Sequence, residues 1–154
     1  MTKKVEVIPA LSMSRIEHKR VGLYACIDPE NKRELRERTA EVSLGVNAVY
    51  QKPKWKLAQI YWDYEPSVPL SERRAYQNFV NDASSEAIDI LNMWSLRQLS
   101  RDRDEIVQFL ALLRKYNITL HTYIEEINSS IISDALILDL WFMGIGQSGS
   151  EPLL

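Results

Sequence analysis

The sequence predicts an α/β domain: a three-layer sandwich in which helices cover both faces of a mostly parallel central sheet. Three observations carry this. Four short apolar runs of strand character alternate with segments of helical period. The first run, Val21-Gly22-Leu23-Tyr24-Ala25-Cys26-Ile27, is apolar almost throughout, as a strand covered on both faces must be. The chain has 154 residues, 45% apolar and 26% charged. One domain of that size buries roughly 70% of its unfolded surface and needs neither disulfide nor metal to hold a core.

Residues 1–19 have no sustained period, and Val5-Glu6-Val7-Ile8-Pro9-Ala10 ends on proline, so this stretch reads as a mobile leader. The folded domain is expected over 20–143. Its first strand leads into Asp28-Pro29-Glu30, an N-cap acceptor, a proline for the first helical position and a first-turn acid. A helix is expected from there to Leu44, stopped by Gly45. Trp55 to Trp62 follows as the second strand, with Asp63 at its C-terminal end. Pro66 and Pro69 make the next stretch a loop, and a helix is expected from Ser71 to Asp82.

Ala87 to Trp94 is the third strand, followed by an arginine-rich polar segment from Ser95 to Asp104. The next helix has the clearest period: Ile106, Phe109, Leu110, Leu113 and Tyr116 share a face, Arg114 and Lys115 complement the last turn, and Asn117 stands as C-cap. Ile118 to Ile124 is the fourth strand. The last helix, Ile131 to Met143, is more apolar than a surface helix requires, so it either caps its own sheet or meets another chain. Gly144, Gly146 and Gly149 are expected to break it and leave 144–154 as a flexible tail.

Composition narrows the function classes. With 19 Lys+Arg against 21 Asp+Glu the net charge is −2, which argues against a stand-alone nucleic-acid binder. Cys26, His18 and His121 cannot make a zinc set, and a lone cysteine closes no disulfide, so a reducing cytoplasm fits and no metal or other cofactor is implied. No run approaches the ~20 apolar residues of a membrane span, nor is there a signal core behind Met1-Thr2-Lys3-Lys4.

The order and content of these segments resemble the catalytic domain of serine recombinases, the resolvase, invertase and large-integrase family. Where the family's first strand reads roughly Tyr-x-Arg-x-Ser, this chain has Tyr24-Ala25-Cys26-Ile27-Asp28. The family's Asp-Glu-Gly-x-Ser loop and Arg-Pro-x-Phe-Gln helix start are mirrored by Asp63-Tyr64-Glu65 and, after a shortened loop, Arg73-Arg74-Ala75-Tyr76-Gln77. Its Ser/Asp-Arg-Leu-x-Arg segment is similar to Arg97-Gln98-Leu99-Ser100-Arg101. Glu125 to Ser130 resembles the turn before the family's long dimerisation helix, and Lys4 to Ala10 the start of many large recombinases of mobile elements.

The resemblance implies a chemistry and also its loss. Family members attack a DNA phosphodiester with a serine hydroxyl while several arginines stabilise the phosphoryl transition state. Here Asp28 occupies the nucleophile position, where it also serves as a helix N-cap. A carboxylate there repels an incoming phosphate and yields an acyl phosphate prone to hydrolysis. Two family arginine positions hold Cys26 and Gln98. Arg73 and Arg101 match family arginines, and Arg97 stands where the family has a serine or an acid, so a DNA-phosphate pocket of Arg73, Arg97 and Arg101 is expected in part. Loss of one such donor typically costs about 100- to 1,000-fold in rate, so the combined losses leave no useful activity.

Three readings follow from the resemblance. The first is a catalytically inactive recombinase-like domain of a mobile element, acting in DNA recombination by pairing with itself or with an active recombinase through Ile131–Met143. The second is a residual phosphodiester-cleaving enzyme using Asp28 with Arg73 and Arg101. The third is a decayed remnant without a role. Because the chain stops after a short last helix, only weak DNA binding alone is expected.

Overall fold

In the computed structural model, residues 18–150 are described, with side chains described through 144. Four strands, β1 (Lys19–Cys26), β2 (Trp55–Asp63), β3 (Ile90–Met93) and β4 (Thr119–Thr122), form one sheet in the order β2-β1-β3-β4. All three pairings are parallel, so the expected mostly parallel sheet is parallel throughout. The helices are α1 (Lys32–Tyr50), α2 (Arg74–Ser84), the single turn α3 (Leu96–Leu99), α4 (Arg103–Lys115) and α5 (Asp134–Ser150). A 3-10 turn, Leu70–Glu72, precedes α2.

Strand alternation divides the core between the two faces. Val21, Leu23 and Ile90 face Val46 and Val49 of α1. Tyr24, Cys26, Tyr61, Leu91, Met93 and Leu120 point the other way, against Phe79 of α2, Ile106, Phe109 and Leu113 of α4, and Ile137 and Trp141 of α5. The predicted three layers are therefore present, with the larger core under α2, α4 and α5. The β1–β2 register shifts between Val21 and Gly22, and a Cβ at Gly22 would stand 2.8 Å from Tyr61 Cε2, so the tyrosine ring lies on bare backbone there.

Several boundaries differ from expectation. The Asp28 carboxylate accepts the Glu30 N–H at 3.0 Å and closes a local turn, so it does not cap the helix; Asn31 does, its Oδ1 accepting the Glu34 N–H at 3.0 Å. Of two acceptors in competition, the one next to the periodic segment starts it. Gly45 does not stop α1, because the helix packs there against Leu23, whose Cδ2 would lie 3.6 Å from a Cβ. The second helix begins at Arg74 rather than Ser71, after the 3-10 turn. The polar segment after β3 contains the turn α3, where the Glu125 carboxylate accepts the Leu96 N–H and, at 2.6 Å, the Ser95 hydroxyl.

The last helix differs most. It starts at Asp134, where Ser133 Oγ accepts the Leu136 N–H at 3.2 Å, and it continues past Gly144, Gly146 and Gly149 to Ser150. Arg114 of α4 sets its entry, bonding Asp134 at 2.9 Å and the carbonyls of Ser129 and Ile132. Of the expected leader only His18 and Lys19 are among the described residues, and Lys19 opens β1; residues 151–154 of the expected tail lie outside them. Among the described residues no helix is long and apolar enough to cross a membrane.

Candidate functional site

In an open parallel sheet the natural crevice lies beyond the carboxyl ends of the strands. Here a cleft of about 520 Å³ opens there. Its walls are Cys26 at the end of β1, Glu34 and Arg38 from the first turns of α1, the 66–68 loop with Arg73, and Arg97 to Asp102 with Glu105 from α3 and the start of α4. Four arginines face three carboxylates, Glu34, Asp102 and Glu105, which leaves the cleft slightly positive on a chain of net charge −2.

The structure thus brings Cys26, Arg73, Arg97, Gln98 and Arg101 together. Asp28 is not among the residues that line the cleft. Its Oδ1 is taken by the Glu30 N–H, and its own N–H donates to Glu34 Oε2 at 3.2 Å. Cys26 does line the cleft; burial pushes its thiol pKa up, so it contributes no charge.

Arg73 is buried, with 6% of its surface exposed, and most of its donors are used inside the protein. Nε donates to Val68 O at 3.0 Å, Nη2 to Pro66 O at 3.1 Å, and Nη1 to Leu99 O at 2.8 Å and Tyr24 Oη at 3.4 Å. Burial pulls its pKa down, but the contributions that raise it, led by the Tyr24 hydrogen bond, prevail. The guanidinium joins the proline loop, β1 and α3 into one wall. Beneath it the buried Asp63 carboxylate accepts Tyr24 Oη at 2.7 Å and the Ala75 and Tyr76 N–H groups at 2.7 and 3.0 Å, so it caps α2 from another element.

The other wall is fixed as firmly. Glu105 accepts the Ser100 hydroxyl at 2.6 Å and the Leu70 N–H at 2.9 Å, tying α4 to both flanking loops. Arg97 donates from Nη1 to Gly144 O of α5 at 2.7 Å. Gln98 hydrogen-bonds Glu41, whose carboxyl is raised by burial despite its 2.7 Å ion pair with Arg38. Arg101 is exposed at the rim. Sequence reasoning missed Glu34, Arg38, Ser100 and Glu105; the local signals were the i, i+4 spacing of Glu34 with Arg38 and the i, i+3 pairing of Arg38 with Glu41 on α1.

The family model of the resolvase N-terminal domain matches residues 32–142, and the chain belongs to that family. The match begins after β1 and Asp28, so it does not cover the stretch in which Asp28 stands for the family's serine. Three solved structures share the fold. The N-terminal catalytic domain of TP901-1 integrase is 23% identical, with a TM-score of 0.60 over 86% of this chain and 99% of that one. A resolvase family site-specific recombinase from Streptococcus pneumoniae is 16% identical, with a TM-score of 0.58 over 88% and 90%. The C-terminal catalytic domain of ISC1926 TnpA, an IS607-like serine recombinase, is 14% identical, with a TM-score of 0.55 over 87% and 85%. No curated protein matches the chain.

Proposed function

We propose that this chain is a serine-recombinase-like domain of a mobile element that acts in site-specific DNA recombination without cutting DNA, by pairing with itself or with an active recombinase. The carrying observation is the cleft: it gathers arginines at the carboxyl ends of the strands, but Asp28 does not line it and Cys26 and Gln98 bring no charge. Phosphoryl transfer needs a nucleophile within reach of the phosphorus and cations on its oxygens. The cleft retains part of the second requirement, but no side chain at the family's nucleophile position lines it: the hydroxyls on its walls belong to Ser67 in the proline loop and to Ser100, which donates to Glu105 at 2.6 Å. A DNA phosphate is held weakly, by Arg101 at the rim and Arg38 on α1.

Pairing is supported by the outer side of α5. Leu136, Phe142 and Met143 are 44%, 69% and 56% exposed while Ile137 and Trp141 of the same helix are buried, and Ile131 ahead of it is 77% exposed. That is a second apolar face on a helix whose first face already closes the core. The resemblance of Lys4 to Ala10 to the leaders of large recombinases supports the mobile-element setting. Sedimentation of the purified chain, alone and mixed with an active resolvase-family recombinase, tests the reading together with that enzyme's strand-exchange rate. A dimer, or a mixed complex with altered exchange, is the expected result. A monomer that neither binds the recombinase nor changes its rate overturns it.

A further inference from the structure

The segment that carries Arg97 and Gln98 is held from two sides. From the cleft, Arg73 Nη1 takes the carbonyl of Leu99 at 2.8 Å. From α5, Trp141 Nε1 takes the next carbonyl, Ser100 O, at 2.8 Å, and Gly144 O receives Arg97 Nη1 at 2.7 Å. Gly144 lets the last contact form without adjustment: a Cβ there would crowd the guanidinium, 3.1 Å from that same Nη1 and 3.5 Å from Arg97 Cδ. The glycine that looks like a helix stop is the seat of a guanidinium.

Arg97 also lines the cleft, so a phosphate bound there would offer it a second acceptor. The one it holds is a neutral carbonyl. A phosphate oxygen is charged, and charge-assisted hydrogen bonds are roughly twice as strong as neutral ones. Both α5 residues that hold the segment stand beside exposed ones: Phe142 and Met143 lie between Trp141 and Gly144 in the chain. Anything that grips the outer face of α5 therefore pulls on the contacts of its inner face.

We propose that α5 and a DNA phosphate compete for Arg97. With α5 docked, Arg97 is held on Gly144 and the cleft is one cation short; when α5 shifts, Arg97 swings into the cleft beside Arg101 and adds one phosphate contact. Arg97 is a positioning residue in the first state and a phosphate ligand in the second. This rests on the reading of the cleft as a DNA-phosphate site.

The probe is a short mixed-sequence DNA duplex, its affinity measured against salt. Each phosphate contact contributes about 0.9 to the slope of log K on log salt. Gly144→Leu expels the guanidinium from α5, and its slope is expected to steepen by about 0.9 relative to wild type; adding Arg97→Ala in that background returns it. Hydrogen exchange of the wild-type chain needs no variant to fold: amides of α5 around Gly144 exchange several-fold faster when DNA is bound. An unchanged slope in Gly144→Leu, a steepening that survives Arg97→Ala, or α5 amides unmoved by DNA overturns the competition while leaving the cleft reading intact. If wild type and variants alike ignore DNA, the cleft reading falls and the competition falls with it.

Discussion

Asp63, buried at the end of β2, bonds only to groups of other elements. Its two oxygens accept two backbone N–H groups of α2 and the Tyr24 hydroxyl, all out of water. Each buried donor left without a partner costs about 1–3 kcal/mol. Asp63→Ala is therefore expected to lower unfolding stability by at least about 3 kcal/mol in urea titrations, and a loss under about 1 kcal/mol would show that water replaces the carboxylate. Asp28 gives the opposite case. Asp28→Ser restores the family's hydroxyl, yet residue 28 does not line the cleft and Cys26 and Gln98 leave it short of cations. No covalent protein–DNA adduct is expected from Asp28→Ser on a denaturing gel; an adduct would mean that the turn at Asp28 rearranges on DNA. At this scale the sequence was half legible. Cys26, Arg73, Gln98 and Arg101 could be placed by motif and they do converge, but a motif cannot say that Arg73 spends its donors on Pro66, Val68 and Leu99 carbonyls. Glu34 and Arg38 share the i, i+4 spacing of one helix face, but only the fold brings them to Glu105.

Among the elements, those with an uninterrupted period were read correctly: β1 from its apolar run, and α4 from a face of Ile106, Phe109, Leu110 and Leu113 between the cap at Asp102 and Asn117 at φ 56°. Misread boundaries trace to residues with two uses. Asp28 and Asn31 both accept N–H groups, and Gly45 and Gly144 both look like stops while serving as close-packing sites against Leu23 and Arg97. Glycine within a helix costs about 1 kcal/mol relative to alanine, a cost that a well-placed contact offsets. The same logic makes Gly22 in β1 a sharp test. Its missing side chain admits the edge of Tyr61, so Gly22→Ala must push the ring away from a core that includes Phe79. The expected cost is about 1–3 kcal/mol despite the better strand propensity of alanine, read from the urea midpoint. A neutral or stabilising result would show that the ring moves freely. On α5, Leu136→Glu with Phe142→Glu alters only exposed positions. Chain stability is expected to change by less than about 0.5 kcal/mol for each, while sedimentation loses any dimer; a dimer that persists places pairing on another face.

Taken whole, the molecule buries Tyr24, Tyr61 and Tyr76 and half-buries Tyr123. Of seven tyrosines, Tyr24, Tyr61, Tyr76 and Tyr123 are all held above their ordinary pKa, chiefly by burial, and Tyr76 is pushed up to about 12. Tyr24 and Tyr61 also donate to carboxylates, Asp63 and Asp82, which cannot be bonded by a phenolate. A folded-state pKa above the unfolded value means that below the unfolded value, near pH 10, the full contribution to stability is present. Above it the unfolded chain sheds protons that the folded chain keeps, so stability falls as pH rises, and the loss continues until the folded phenols ionise in turn. Cys26, raised from a lower starting value, brings the onset slightly earlier. The fold thus has an alkaline limit written into its larger core, where Tyr24, Tyr61 and Tyr76 sit with Phe79 and Phe109. Urea midpoints followed from about pH 8 to about pH 11 are expected to hold level and then drop beyond about pH 10. Phenolate absorbance of the folded chain should rise in two stages, the later one coinciding with unfolding, where the urea-denatured chain gives a single stage. One phenolate step at the ordinary pH in the folded chain, with midpoints unmoved, would mean that water reaches these rings and that the layer between the sheet and α2 is looser than its packing indicates.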